Sequence, residues 1–193
     1  MKNKTKKVKF DKKKYVYTYA DYNSGDGMLT TVWGPGLWHY LHTMSFNYPN
    51  EPTKKEKNDY RDFILSLKNV LPCGKCRENL KHNFKSLPLK MRDMKNRYTF
   101  SKYVYDLHEL INKMLNKESG LSYEEVRERY EHFRARCVVK ENKRITKKKK
   151  KEDGCVDSLY GEKSKCVLQI VPQEKKCDTI QIDDKCIKKK FKN

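Results

Sequence analysis

Between residues 31 and 135 the apolar side chains recur at helical spacing, and prolines and capping boxes cut that pattern into short pieces. This punctuation constrains the fold more than any other feature of the chain. Gly34-Pro35 predicts a helix start, followed by Leu37, Leu41, Met44 and Tyr48 on one face and stopped by Pro49. Thr53 to Glu56 forms a capping box that opens a second helix. Its predicted buried stripe is Tyr60, Phe63, Ile64, Leu67, Val70 and Leu71, and Pro72 ends it. A third helix starts at Cys73 and Cys76 and carries Leu80, Phe84 and Leu87 up to Pro88. A fourth spans Tyr98 to Asn116 with Phe100, Val104, Leu107, Ile111 and Leu115 inward. After Gly120 a second capping box, Ser122 to Glu125, opens a fifth with Tyr123, Val126, Tyr130 and Phe133. Five helices with short connections and no convincing strand predict an all-α bundle.

Outside this region the charge changes character. The chain carries a formal net charge of +20, and the excess sits mainly in its tails. Residues 1–14 hold eight lysines against one aspartate, and residues 138–193 hold sixteen lysines and one arginine against nine acids. Such tails favour acidic partners, nucleic acid above all. The division expected is a basic, tyrosine-rich arm over 1–24, a folded domain over 25–137 and a flexible lysine-rich tail over 138–193. Within the arm Tyr15, Tyr17 and Tyr19 alternate as in a short strand. Beyond the Lys147 to Lys151 run, Cys155, Cys166, Cys177 and Cys186 recur every nine to eleven residues. They fit either a mobile thiol shuttle or a passive, partner-binding tail. No apolar run reaches the ~18 residues of a membrane span and no signal-peptide core is visible, so a soluble, non-secreted protein is expected. Seven cysteines in such a setting point to redox or metal chemistry rather than a disulfide scaffold.

The sharpest chemical feature is Leu71-Pro72-Cys73-Gly74-Lys75-Cys76. A zinc site needs a second ligand pair at similar spacing; there is no second C-x2-C, and the close histidine pair, His39 and His42, lies on an apolar helix face. A dithiol at a helix N-terminus makes physical sense, because exposed amides and the helix dipole stabilise the reactive thiolate. A thioredoxin fold requires the motif within a βαβ pattern, and here a helix precedes as well as follows it. An all-helical dithiol protein that oxidises thiols needs an electron acceptor, and a flavin supplies one. No Rossmann glycine fingerprint is present, so a flavin would be held by aromatic planes, ring hydrogen bonds and cations. The candidates are Trp33, Trp38, His42, Tyr48, Tyr103, His108, Asn112, Lys117, Arg129 and Tyr130, with His108 and Asn112 four apart on one helix side.

Trp33-Gly34-Pro35-x-x-Trp38-x-x-x-His42, Tyr48-Pro49, Cys73-x-x-Cys76 and His108-x-x-x-Asn112, in this order and spacing, resemble the Erv/ALR flavin-linked sulfhydryl oxidases over residues 31–135. The resemblance implies a bundle of four helices plus a short fifth, a homodimer, and non-covalent FAD. It implies that a protein dithiol substrate, or a thioredoxin-like carrier, attacks Cys73. Electrons then pass from Cys76 through FAD to oxygen, with release of hydrogen peroxide. It places Gly34, Trp38, His42, Tyr48, His108, Asn112 and Lys117 around FAD, matches Arg129 and Tyr130 to an Arg-Trp pair near the adenine, and sets Tyr103 where a tryptophan stands. The lysine-rich composition and the Arg134-Ala135-Arg136-Cys137 ending are similar to members encoded by large cytoplasmic DNA viruses, which implies action in host cytoplasm and in the virion.

Three departures from the family pattern stand out. His108-Glu109 replaces a His-Asn pair, Tyr105 and Tyr123 occupy positions where cellular members carry a disulfide, and no C-x2-C shuttle pair is visible in the tail. The rival reading is a non-enzymatic basic nucleic-acid-binding module whose cysteines hold zinc, for which steeply salt-dependent DNA affinity is the signature.

Overall fold

The structure, a computed structural model, describes residues 16–138 and 154–160. Its described elements are α1 (Tyr19–Tyr22), α2 (Thr30–Phe46), α3 (Lys54–Val70), α4 (Gly74–Ser86), α5 (Arg97–Met114), α6 (Tyr123–Glu131), β1 (Ala135–Val138) and β2 (Gly154–Ser158). The Lys147 to Lys151 run, Cys166, Cys177 and Cys186 lie outside the described residues, as does most of the basic arm.

The local signals act as expected. Thr53 accepts from Glu56 N while Glu56 reaches back to the Thr53 amide, and Ser122 and Glu125 repeat the exchange at α6. Each box satisfies two amide donors that the first helical turn leaves without intrahelical acceptors. Asn96 caps α5 through Thr99 N in the same way.

The bundle packs α2 against α5 and α6, α3 against α4, and α4 against α5. Its main core gathers Leu41, Tyr48, Ile64, Leu67, Leu80, Met94, Phe100, Tyr103, Val104 and Leu107. A second cluster, Phe46, Tyr123, Val126 and Tyr130, clamps α6 onto the end of α2. Phe100 is sealed at 0% exposure, its ring centroid 4.8 Å from Tyr48 and 5.9 Å from Tyr60. Phe100→Ala is therefore expected to cost about 3–5 kcal/mol, from lost apolar transfer plus the cavity left behind. Urea unfolding of the two proteins checks this, and a midpoint unchanged from native would contradict the packing.

Four sequence expectations need correction. The first helix starts at Thr30 rather than at Gly34-Pro35, so Pro35 lies inside it. Proline has no amide to donate, and so close to the N-terminus only one intrahelical bond is forgone. Phe63, Val70 and Leu115 are not core residues, at 38%, 66% and 48% exposure; the stripe of α3 is narrower than its apolar count suggests, and Leu115 falls just past the end of α5. Thr18 caps a helical turn through a box with Asp21, so the segment from Tyr19 to Tyr22 is helical rather than extended.

Finally, a two-stranded antiparallel ribbon accompanies the helical bundle: Ala135 pairs with Ser158, Arg136 with Asp157 and Val138 with Gly154, with an irregularity between Arg136 and Val138. The domain limit drawn at residue 137 thus falls inside a paired strand. Arg134 ties the ribbon to the bundle, donating to both Glu131 carboxylate oxygens at 2.6 and 2.8 Å and to the Phe46 carbonyl at 3.1 Å.

Candidate active site

Pro72 cannot continue α3, and the turn it enforces delivers Cys73 to the N-cap of α4. Cys73 has extended backbone (φ −153°), and its sulfur accepts the Cys76 amide at 3.2 Å in the place a serine oxygen usually takes. Cys73 and Cys76 are joined as a disulfide with Cα atoms 5.2 Å apart. Both are half-buried, and Cys76 packs against the main core. Arg77 folds back over the motif, donating to the Leu71 carbonyl, with a terminal nitrogen 3.6 Å from where a Cβ on Gly74 would stand. A fixed guanidinium and a helix N-terminus together favour thiolate at this corner.

A segment preceding α2 reaches the same corner. Met28 N donates to the Pro72 carbonyl at 2.7 Å, and the Thr30 hydroxyl lies 3.7 Å from Cys76 Sγ. From Thr30 a single ridge runs along α2, because Thr30, Gly34, Trp38 and His42 recur every fourth residue. Gly34 leaves a gap in that ridge: a Cβ there would meet only Thr30 Cγ2, at 3.4 Å.

At the far end of the ridge sits an aromatic and imidazole cluster from three helices. Trp38 stacks on His108 of α5, with centroids 3.9 Å apart and planes inclined by 6°. His42 Nε2 and His108 Nδ1 share a hydrogen bond of 2.9 Å, and Tyr130 of α6 packs 5.2 Å from His42. His39 adds a 3.3 Å contact to the Tyr130 hydroxyl. Burial, reinforced by His108 and His39, lowers His42 to a pKa of about 3; burial also lowers His108 to about 4, against a small opposing pull from Glu109. Both rings are neutral at physiological pH.

Their tautomers are coupled. If His108 donated, His42 would carry its proton on Nδ1, which is the single buried side-chain nitrogen or oxygen without a partner among the described residues. An orphaned N–H costs more than a bare lone pair, so His42 Nε2 donates and Nδ1 is left as an acceptor. The cluster is thus able to hold a flat ligand that brings a hydrogen-bond donor.

The other candidates separate into two groups. Asn112 lies half-buried one turn beyond His108 and donates to Glu109 at 3.1 Å, so the Glu that departs from the family pattern has a polar partner. Lys117 is exposed just after α5, and Arg129 is half-exposed and next to Tyr130 in the chain of α6. Tyr48 and Tyr103 do not join the cluster. Tyr48 is at 0% exposure with its hydroxyl on the Met94 carbonyl at 3.0 Å, and Tyr103 is buried with its hydroxyl on the Leu87 carbonyl at 2.9 Å. Each is a satisfied core aromatic with no free surface for a ligand. The sequence reading missed Thr30, His39 and Arg77. Only His39 carried a local signal, its spacing from His42.

The Erv1 / Alr family model matches residues 35–131, half of the chain. A probable FAD-linked sulfhydryl oxidase of Acanthamoeba polyphaga mimivirus is 34% identical over 104 residues, covering 54% of this chain and 72% of that protein. This chain belongs to the Erv1/Alr family. An African swine fever virus FAD-linked sulfhydryl oxidase is 32% identical over 51% of this chain and 80% of its own length. An Arabidopsis thaliana FAD-linked sulfhydryl oxidase is 29% identical over 44% of this chain and only 42% of its own.

Within this Erv1/Alr chain the disulfide itself weighs against the zinc half-site of the rival reading. Tyr105 and Tyr123, expected where cellular members have a disulfide, meet edge to face at 5.8 Å and 74°. Tyr105 donates to the Leu121 carbonyl at 2.7 Å, and the Tyr123 hydroxyl pairs with Ser101 at 2.8 Å. An aromatic contact with both hydroxyls satisfied thus joins α5 to α6 at that point.

Proposed function

We infer that this Erv1/Alr chain is an FAD-dependent thiol oxidase that forms disulfide bonds in dithiol proteins. The observation that carries the reading is the ridge of α2, which links the Cys73–Cys76 disulfide through Thr30 and the gap at Gly34 to a neutral histidine pair with one unmet acceptor. The residues present fit a flavin. Trp38 and His108 offer stacked planes, His42 Nδ1 a hydrogen-bond acceptor, Asn112 a polar edge, and Lys117 and Arg129 cations for phosphates. FAD, when bound, supplies a two-electron acceptor that passes electrons on to oxygen.

The chain's own groups handle the thiol chemistry. A substrate thiolate attacks Cys73 Sγ, and Cys76 leaves. When the substrate's second thiolate resolves the mixed disulfide, Cys73 becomes the leaving group, and the Cys76 amide and the α4 N-terminus hold its charge. Neutral His42 and His108 keep net positive charge out of the cluster while presenting directed ring nitrogens. Protein dithiols or a thioredoxin-like carrier would be the substrates. A homodimer belongs to the proposal: exposed Tyr40 of α2 and exposed Phe63 of α3 form an apolar surface pair, their rings 6.1 Å apart. No helix among the described residues is long and apolar enough to cross a membrane. The viral relatives support action in host cytoplasm and in virions, where the lysine-rich tails would meet nucleic acid.

The purified protein is expected to be yellow, with about one FAD per chain, since each bundle builds one such cluster. Its flavin absorption should bleach on anaerobic addition of dithiothreitol and return with air. A folded, colourless protein that takes up no FAD overturns the reading.

A further inference from the structure

The strap before α2 holds a hydroxyl against one sulfur of the redox pair. Gly27 packs so close to the motif that a Cβ there would stand 3.0 Å from the Pro72 carbonyl and 3.2 Å from Cys73 Cα. Met28 N hydrogen-bonds that carbonyl at 2.7 Å, and the Met28 carbonyl accepts from Trp33 Nε1 at 3.1 Å. These three contacts fix the chain on both sides of the α2 start. Thr30, in the first turn, is thereby set with Oγ1 3.7 Å from Cys76 Sγ, 46 residues away in sequence. The amide donor at the α4 N-terminus is directed at the other sulfur, Cys73 Sγ.

We propose that the Thr30 hydroxyl is a catalytic hydrogen-bond donor to Cys76 Sγ, stabilising it as the leaving thiolate when a substrate opens the disulfide, with the Gly27–Met28 strap as its positioning element. This deepens the thiol-oxidase reading and rests on it. In the first exchange the substrate sulfur bonds to Cys73 Sγ while the Cys73–Cys76 bond breaks. The electron pair of that bond goes to Cys76 Sγ, and no proton moves, because the substrate enters as thiolate. A leaving sulfur departs faster the better its negative charge is held. In the second exchange the substrate's other thiolate attacks the substrate sulfur of the mixed disulfide, and Cys73 leaves with the electron pair, accepting the Cys76 amide. Each sulfur therefore has its own donor at the step in which it leaves: Thr30 for Cys76, the α4 backbone for Cys73.

The test uses the full chain, anaerobically, with dithiothreitol as probe. Thr30→Val keeps the branched shape and removes the donor, so the second-order opening of the Cys73–Cys76 disulfide is expected to slow about fivefold. Thr30→Ser keeps the donor and should stay within about twofold of native. Gly27→Ala, which must shift the strap, should slow opening in the same direction while leaving Thr30 in place chemically. A second readout is independent of turnover. In a Cys73→Ser background, the pH profile of Cys76 alkylation, mapped by peptide mass spectrometry, should move to higher pH with Thr30→Val and stay put with Thr30→Ser. Thr30→Val opening as fast as native, or Thr30→Ser behaving like Thr30→Val, overturns the role of the hydroxyl. A native disulfide that dithiothreitol does not open overturns the thiol-oxidase reading itself, so the two failures are told apart.

Discussion

Cys76→Ser and Cys73→Ser are each expected to reduce oxygen consumption with a dithiol substrate by on the order of 10³-fold or more, because neither sulfur alone can form or resolve the exchange. The fold should survive both changes. Cys73 occupies an N-cap, where serine is among the preferred residues, so its hydroxyl can take over the Cys76 amide. The lost cross-link spans a separation of three residues and restricts the unfolded chain little. Far-ultraviolet dichroism and flavin absorption should therefore match the native protein while turnover vanishes. Turnover near native in either variant would move the chemistry to another cysteine pair. Loss of flavin together with turnover would instead mean that the disulfide supports the architecture of the cluster rather than the reaction.

Acid should unfold this bundle through its histidine pair. In the folded chain His42 and His108 have pKa values lowered to about 3 and about 4, whereas in the unfolded chain both return to 6.5. Below pH 6.5 the unfolded state binds protons that the folded state refuses, so stability is complete above pH 6.5 and falls as pH drops toward 4. Each ring contributes at most about 1.4 kcal/mol per pH unit. With the two sharing a hydrogen bond, a loss on the order of 3 kcal/mol by pH 5 is expected. That is a large fraction of the roughly 5–15 kcal/mol that holds a domain folded. Urea unfolding at pH 7.5, 6.5 and 5 measures it directly. His108→Gln, which cannot titrate, should flatten the slope by about half. Equal midpoints at pH 7.5 and 5 for the native protein would show that the rings are solvated and the cluster is open.

Much of this was legible from local chemistry. The capping boxes at Thr53 and Ser122, and the stops at Pro49 and Pro72, act through neighbours three or four residues away, so the sequence carries their whole cause. The same holds for Cys73 at a helix start: proline before it and helix-forming residues after it leave the N-cap as its place. Trp38, His42 and His108 were readable only jointly, from separated motifs in a fixed order, since each alone looks like an ordinary core residue.

The sequence by itself therefore determined the five helices of the bundle, their limits within a few residues, the position of the disulfide and the family. What it left open depends on contacts between residues far apart along the chain. Tyr48 and Tyr103 have the same helical spacing whether a ring faces a ligand or a neighbouring helix, and only packing against Met94 and Leu87 made them core. Phe63 and Val70 belong to the stripe by spacing, but the width of the contact between helices left them outside. The short β1 and β2 have no periodicity long enough to register, so their pairing appears only when the strands meet. Thr30 beside Cys76 and His39 beside Tyr130 are joined across 46 and 91 residues. No local propensity encodes such pairs. The strap at Gly27 and Met28 and the packing of α2 against α5 and α6 bring them within reach, and these contacts alone decided which hydroxyl and which imidazoles gather at the candidate site.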